Sequence, residues 1–543
     1  MIRKAALLAI CVALSGAFLG TWIRPLRGVI RGDLHGDSSL LTWNLWAMTE
    51  AVVHGHDPYR TSLLYSPVGA NLATHTYGLG FLPIGLISRL LIADGTYPIV
   101  AYHLAIWACF AIGLFAAYHA LRALGAVALP AAAGSVAWAF APAFRSRALE
   151  THLVAAAFLL PAITLALASL VKRPTRARAA LAGVAFGGSV YFSEYYSAFL
   201  WLAALGLAGV VWAVRDTRAE ATRILTAIGA GGVVTAIGAF GLTVAPFIAH
   251  WVISEALPLK PDQAYFESAN LAAFVVPAAS ATPLYRRVPP LSHLGVLFQR
   301  GVGGETVFPG FPVWLFAALA WRAGDARLRR LLWILATTFL VLSLGPELKI
   351  LGANTRVLLP YRALMAIPPF DMARAPARLA AIALWGLVCL MALGLSRMAA
   401  VLDRRTARGA GIALCLAVIA WSVAENRAPT PPVDLFVPPA ELSDLGPGGV
   451  LNVPVSARDS FAMLLQTLHG RPIATGYVSR LSRQQSEHVG HVDELTCGDT
   501  AAMVAGLQTL GIGNLIVARG TSDVDVERLR QTPLRVIDLR RLD

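Results

Sequence analysis

Repeated apolar runs of about 17 to 25 residues, separated by short basic or Pro/Gly-containing connectors, leave this chain few ways to fold. At about 1.5 Å of rise per residue, a helix of that length crosses the roughly 30 Å hydrocarbon core of a bilayer. In lipid every backbone amide needs a partner within its own segment or a closed barrel, and the alternating ten-residue segments of a barrel are absent. A polytopic all-α bundle is therefore expected. Composition agrees: of 543 residues, 57% are hydrophobic and 14% charged, and the mean hydropathy of +0.62 lies outside the range of soluble domains.

About eleven spans are predicted: Ala5 to Ile23, Pro98 to Leu121, Ala126 to Phe144, Thr151 to Val171, Ala179 to Phe192, Tyr196 to Val214, Ile224 to His250, Val307 to Trp321, Leu331 to Leu344, Leu379 to Leu395 and Ala410 to Val423. Arg3 and Lys4 precede the first run as they would in a signal peptide, but the run continues to Ile23 without a small-residue cleavage site, so it reads as an uncleaved span. Basic clusters at Lys172 to Arg178, Arg215 to Arg223, Arg322 to Arg330 and Arg397 to Arg408 belong on the cytoplasmic side, as does the N-terminus. This count closes only if Tyr77 to Ile92, short and bearing Arg89, lies at the interface without crossing. The loop 24–76, the turn near Glu150, the turn at Glu194, the loops 254–306 and 346–378, and the chain beyond residue 424 then share the outer face. Arg145 and Arg147 violate the positive-inside preference there.

The formal net charge of +14 does not point to nucleic acid, because residues 425–543 carry 11 basic and 14 acidic groups. The positive charge sits in the membrane half, where it faces lipid phosphates. Two domains are expected: a transmembrane bundle over 1–424 and, after the Pro-rich connector Pro429 to Pro432, a soluble extracytoplasmic α/β domain over 425–543. Within the latter, Gly449 to Val455 and Asn514 to Ala518 read as buried strands, and Asp459 to Leu468 and Thr500 to Leu510 as helices. The five cysteines form neither a disulfide framework nor a zinc motif.

The first outer loop carries the densest chemistry. Gly32-Asp33-Leu34-His35-Gly36-Asp37 is followed by Trp43-Asn44-Leu45-Trp46, then His54-Gly55-His56-Asp57-Pro58-Tyr59, then Tyr65-Ser66-Pro67-Val68-Gly69-Ala70-Asn71-Leu72 and His75. A long loop rich in polar and aromatic groups tends to be functional. Asp33 and Asp37 are four apart and share a face if helical, where an acid beside the first span can act as a general base. The plainer reading of Asp37 is a helix N-cap before Ser38-Ser39, and that of Trp43 and Trp46 an interfacial aromatic belt. The loop histidines read most simply as solvated polar groups. Glu150, His152 and Glu194 border lipid at outer turns, which makes them, with Asp33, candidates for acceptor or metal support; for Glu194, pairing with an outer arginine competes.

The loop start Gly36-Asp37, the Trp43-Asn44-Leu45-Trp46 stretch and the Tyr65 to Leu72 run resemble first-loop patterns of bacterial members of the GT-C superfamily, glycosyltransferases that use polyprenyl-phosphate-linked sugars. Arg374-Ala375-Pro376-Ala377-Arg378 before a span, Gly470-Arg471-Pro472 and Gly476-Tyr477-Val478-Ser479-Arg480 extend the resemblance across most of the chain. The Trp-Trp-Asp motif of oligosaccharyltransferases is absent, which argues against protein N-glycosylation. The resemblance implies an inverting sugar transfer in a bacterial plasma membrane. Its donor would be a polyprenyl-phosphate sugar and its acceptor a glycolipid, polysaccharide or protein hydroxyl, with Asp37 as base. A leaving lipid phosphate needs cationic donors, and Arg374 and Arg378, four apart at the outer end of a span, suit it; interfacial snorkelling is the plainer alternative. A divalent cation (Mg or Mn) held by Glu194 and Asp37 is one further expectation. A flippase of lipid-linked sugars would instead call for charges at mid-membrane, and a non-catalytic assembly subunit for neither.

Overall fold

The computed structural model describes residues 2–20, 23–24, 26–31, 34–145, 154–257, 262–277, 283–285, 288, 291, 307–367, 375–406, 409–426, 433–434, 439–456, 459–518 and 520–540. Each predicted span has a helix on it. In chain order these are α1 (Ile2–Leu19), then α4 (Tyr97–Ala123), α5 (Ala128–Ala139), α6 (Ala156–Lys172), α7 (Arg176–Gly188), α8 (Glu194–Ala213), α9 (Arg215–Val252), α10 (Phe311–Leu319), α11 (Ala326–Ser343), α12 (Ala380–Arg405) and α13 (Ala410–Glu425). Five of them, α1, α4, α8, α9 and α12 with its leading turn, are long and apolar enough to cross a membrane, and others are shorter apolar helices. The large apolar side chains left on the outside fit a lipid solvent. Leu205, Val234, Ile237 and Leu242 are all at least 65% exposed, a pattern that would be a liability in water.

Helix α12 forms the axis of the bundle, with every residue from Ala380 to Leu395 buried. It packs against α5, α10, α11 and α13, while α4 bridges α1, α5 and α6. Close approach depends on small residues. On α7, a Cβ at Gly183 would sit 2.2 Å from the Ala236 carbonyl oxygen, and one at Gly187 would sit 2.8 Å from the Phe240 carbonyl oxygen; these two glycines, one turn apart, let the α7 and α9 backbones meet. Helix α9 is two helical segments joined at Gly229, whose φ of 66° a side chain would oppose.

The first loop is more ordered than its sequence suggests. It holds α2 (Asp37–Val53), a 17-residue helix with every side chain from Ser38 to Thr49 buried. Trp43 and Trp46 are 0% and 7% exposed, so the aromatic-belt reading is overturned: α2 is covered on several sides, and these rings are core. After it comes α3 (Leu82–Leu91), whose ten residues rise only about 15 Å, too short to cross. Leu90 and Leu91 are largely exposed, while Gly85 and Ser88 pack inward, as expected of an interfacial helix.

Beyond α13 the chain builds a sheet-containing region. Its parallel strands Gly449–Val453, Ile512–Val517 and Arg535–Asp538 lie in that order. Two of the strands and two of the helices, α14 (Ser460–His469) and α16 (Thr500–Thr509), match the sequence reading. Helices α15 (Arg483–Cys497) and α17 (Asp523–Arg530) and the last strand add to it. This region does not stand apart from the bundle. Phe461, Met463 and Leu465 of α14 join the same core as Leu40, Trp43 and Trp46 of α2, and the two-residue strand Ile30–Arg31 pairs with Val433–Asp434.

Candidate active site

Asp37 is the first residue of α2, and Gly36 is its N-cap, with no side-chain cap bond. The N-cap reading of Asp37 is therefore set aside: its carboxylate sits in the first turn, where the helix dipole favours a negative charge. It is half-buried and engages no hydrogen bond or ion pair among the described residues. Two residues before it, the His35 ring lies 5.0 Å from that of Phe461, which brings α14 beside the acid.

A hydrogen-bonded block holds α2 against the sheet-containing region. His75 is buried, and its Nδ1 accepts from the Ser479 N–H at 3.0 Å, so its other nitrogen, Nε2, carries the proton and donates to Asn44 Oδ1 at 3.0 Å. Asn44 Nδ2 donates to the Thr76 carbonyl at 2.8 Å, and Ser479 Oγ meets both Thr76 and His75 at 3.1 Å. Burial pushes the His75 imidazole down to about 3. This histidine is a neutral structural pin, not the solvated loop group its sequence context suggests. The Val478 N–H donates to the Tyr65 hydroxyl at 3.2 Å, and Trp43 Nε1 donates to Gln466 Oε1 at 2.7 Å. The two segments singled out in the sequence, Tyr65 to Leu72 and Gly476 to Arg480, are thus held directly against one another.

Arg378 lies in the turn Pro376–Leu379 that leads into α12, with its guanidinium carbon 4.6 Å from the centre of the Tyr195 ring. Such stacking is favourable for a guanidinium. Its Nε and Nη1 are buried with no hydrogen-bond partner among the described residues. Glu194 heads α8, capped by Ser193, whose hydroxyl accepts from the Tyr196 N–H. Glu194 and Arg378 therefore flank Tyr195. The hairpin tip that carries Glu194 also reaches the segment that follows the first loop, where Phe192 packs edge-on to Phe81 at 5.4 Å; within the loop, burial, then Tyr191, Glu194 and Asp57, push the Tyr59 phenol up.

Two residues that the sequence reading passed over belong to this neighbourhood. His250, at the end of α9, brings Nε2 within 2.9 Å of Asp57 Oδ2, and its carbonyl accepts from Asn71 Nδ2 at 2.9 Å. Burial pushes the Asp57 carboxyl up, but the Tyr59 N–H, His250 and Arg60 outweigh it and hold the group below its usual range. The signal was present: an imidazole closing an apolar run, and an acid inside His54-Gly55-His56-Asp57. Asp33, Glu150, His152 and Arg374 lie outside the described residues. Among the described residues no three His, Cys, Asp or Glu side chains converge as a metal site.

No protein-family model and no curated protein matches the sequence. Solved structures match in shape. The arabinofuranosyltransferase AftD from Mycobacteria is 17% identical, with a TM-score of 0.55 over 96% of this chain and 35% of that one. A mutant of AftD gives 0.56 at 17% identity, over 96% and 37%. The oligosaccharyltransferase of Archaeoglobus fulgidus gives 0.48 at 12% identity, over 94% and 69%. The chain spans about a third of AftD's length. What it shares with that mycobacterial protein, across nearly all of its own residues, is the fold.

Proposed function

We propose that this protein is a glycosyltransferase that moves a sugar from a polyprenyl-phosphate donor to an acceptor on the extracytoplasmic face of a bacterial plasma membrane. The observation that carries this reading is Arg378, whose guanidinium stacks on Tyr195 beside the Glu194 helix end and whose Nε and Nη1 are buried with no hydrogen-bond partner among the described residues. A desolvated cation left open in this way suits an anion, and a lipid phosphate is the anion that a membrane enzyme of this fold would meet. As the anomeric bond breaks, Arg378, joined by Arg374 from the same loop, would stabilise the charge developing on the leaving phosphate. Asp37, uncommitted in the first turn of α2, would take the proton of the acceptor hydroxyl. Glu194 would orient the acceptor, or hold a divalent cation together with Asp37. Attack from the face opposite the phosphate would invert the anomeric centre. AftD is an arabinofuranosyltransferase, which makes a pentofuranosyl phospholipid the first donor to assay.

The test is transfer of radiolabelled sugar by detergent-solubilised protein, since a flippase has no turnover without two compartments. Asp37→Asn should lower the transfer rate by about 10²- to 10⁴-fold while expression and insertion stay normal. Unchanged transfer by that variant would remove Asp37 as the base, and with it this mechanism.

A further inference from the structure

A cavity of about 820 Å³ opens at the other end of α2, bounded by α2, α3, the loop after α2 and the end of α14. Glu50 lies 13 residues beyond Asp37 on α2, so the cavity is displaced from the candidate base by about 20 Å along the helix. It belongs to none of the roles assigned above. Three aromatic side chains, Trp46, Tyr77 and Tyr97, contribute to its wall. The Glu50 carboxylate is fixed there, accepting from Arg89 Nε at 2.8 Å and from the Tyr97 hydroxyl at 2.7 Å.

Two further groups in the wall are uncommitted. Tyr77 is 4% exposed, and its hydroxyl has no hydrogen-bond partner among the described residues. His469 accepts from the Arg471 N–H through Nδ1, so its proton is on Nε2, which is also buried and has no hydrogen-bond partner among the described residues. Buried polar groups normally find partners; these two donors have none among the described residues, so a ligand that reaches them would have to supply acceptors.

The charges of the wall indicate what kind of ligand this is. Two acids, Glu50 and Asp94, are balanced by two arginines, Arg60 and Arg89, and the Glu50 charge is already paired with Arg89. A phosphate would find no surplus cation here, whereas a neutral polyol can meet the exposed margins of the aromatics and present hydroxyls to the fixed polar groups. The volume is within the range of roughly 300 to 1,000 Å³ usual for specific small-ligand sites.

We infer that this cavity binds neutral carbohydrate and seats a distal part of the acceptor glycan, so that the acceptor is an oligosaccharide chain rather than a single sugar. This assignment rests on the glycosyltransferase reading for its biological use, but binding can be measured without turnover. The experiment is titration of the purified full-length protein in nanodiscs with arabinan, mannan and glucan pentasaccharides, and with inorganic phosphate, by isothermal calorimetry. At least one pentasaccharide should bind, phosphate should not compete with it, and Tyr77→Phe and Arg60→Ala should each weaken binding by roughly three- to tenfold. Tyr77→Phe keeps the shape of the buried ring, and Arg60 is solvent-exposed, so loss of fold is a poor explanation for a joint effect. No binding by any pentasaccharide, competition by phosphate, or binding indifferent to both cavity variants would each overturn the assignment. Failure of transfer with intact pentasaccharide binding would instead refute only the enzymatic reading.

Discussion

Arg378 separates a structural role from a ligand-binding one more sharply than any other described side chain of the site. Its Nε and Nη1, buried with no partner among the described residues, carry a desolvation cost that the ring contact offsets only in part. If the group is kept for an anion, replacing it with an apolar chain of similar length should leave stability unchanged or raise it, while donor use collapses. Arg378→Met is therefore expected to match or exceed wild type in thermal unfolding and to lower transfer by about 10²- to 10³-fold. Arg378→Lys should restore little, because a point charge cannot reproduce the planar fork or the stacking on Tyr195. A clear loss of melting temperature in Arg378→Met, with the residual fold still turning over donor, would assign the residue to packing alone. The sequence could place Arg378 at the end of a span. It could not show the Tyr195 ring beneath it, because that contact joins residues 183 positions apart.

At the scale of elements, the clearest failure of sequence reasoning is α2. Its residues Asp37 to Val53 mix apolar side chains with Ser, Thr and Asn all round the helix, so they lack the one-sided pattern that announces an amphipathic helix, and they are too short and too polar to announce a span. The helix is explained by its surroundings: α4 on one side, α3 on another and α14 on a third. The spans, by contrast, were legible because lipid imposes both length and apolarity on each segment separately. One link between α2 and the sheet-containing region runs through His75, held neutral between Ser479 and Asn44. Its folded value of about 3 lies below the ordinary 6.5, so the unfolded chain binds the additional proton as the pH falls through 6.5. Stability from this residue is complete above that point and declines towards about 3, by about 2 kcal/mol at pH 5. Burial lowers His469 and His488 in the same region too, and both act in the same direction. Hydrogen exchange in Val478 and Ser479 should accordingly be faster relative to the intrinsic rate at pH 5 than at pH 7.5. His75→Gln should be less stable at pH 7.5 but less sensitive to acid. Equal protection of wild type at both pH values would contradict the pinned, neutral imidazole.

Across the whole molecule, described parts of several loops assigned to one face by their charge lie against one another. The tip at Glu194 packs towards Phe81, the end of α9 ties to Asp57, the Ala377 N–H donates to the Glu267 carbonyl, and Ser479 and Gln485 bond to the first loop at His75 and Gly69. Which side of the membrane this face occupies rests on the basic connectors at the opposite ends of the helices, including Arg404 and Arg405 at the end of α12. The donor reading depends on that side being extracytoplasmic, and the chain carries its own reporter. Of its five cysteines, Cys11, Cys109, Cys389 and Cys415 are buried and Cys497 alone is exposed, at the end of α15. A membrane-impermeant maleimide should therefore modify the wild-type protein in intact, outer-membrane-permeabilised cells. In a Cys497→Ser background, Arg405→Cys at the other end of the bundle should be modified only after the inner membrane is opened. The reverse pattern would turn the molecule over, placing Asp37, Glu194 and Arg378 on the cytoplasmic side, where nucleotide sugars would compete as donors and the argument for a lipid-linked one would lose its basis.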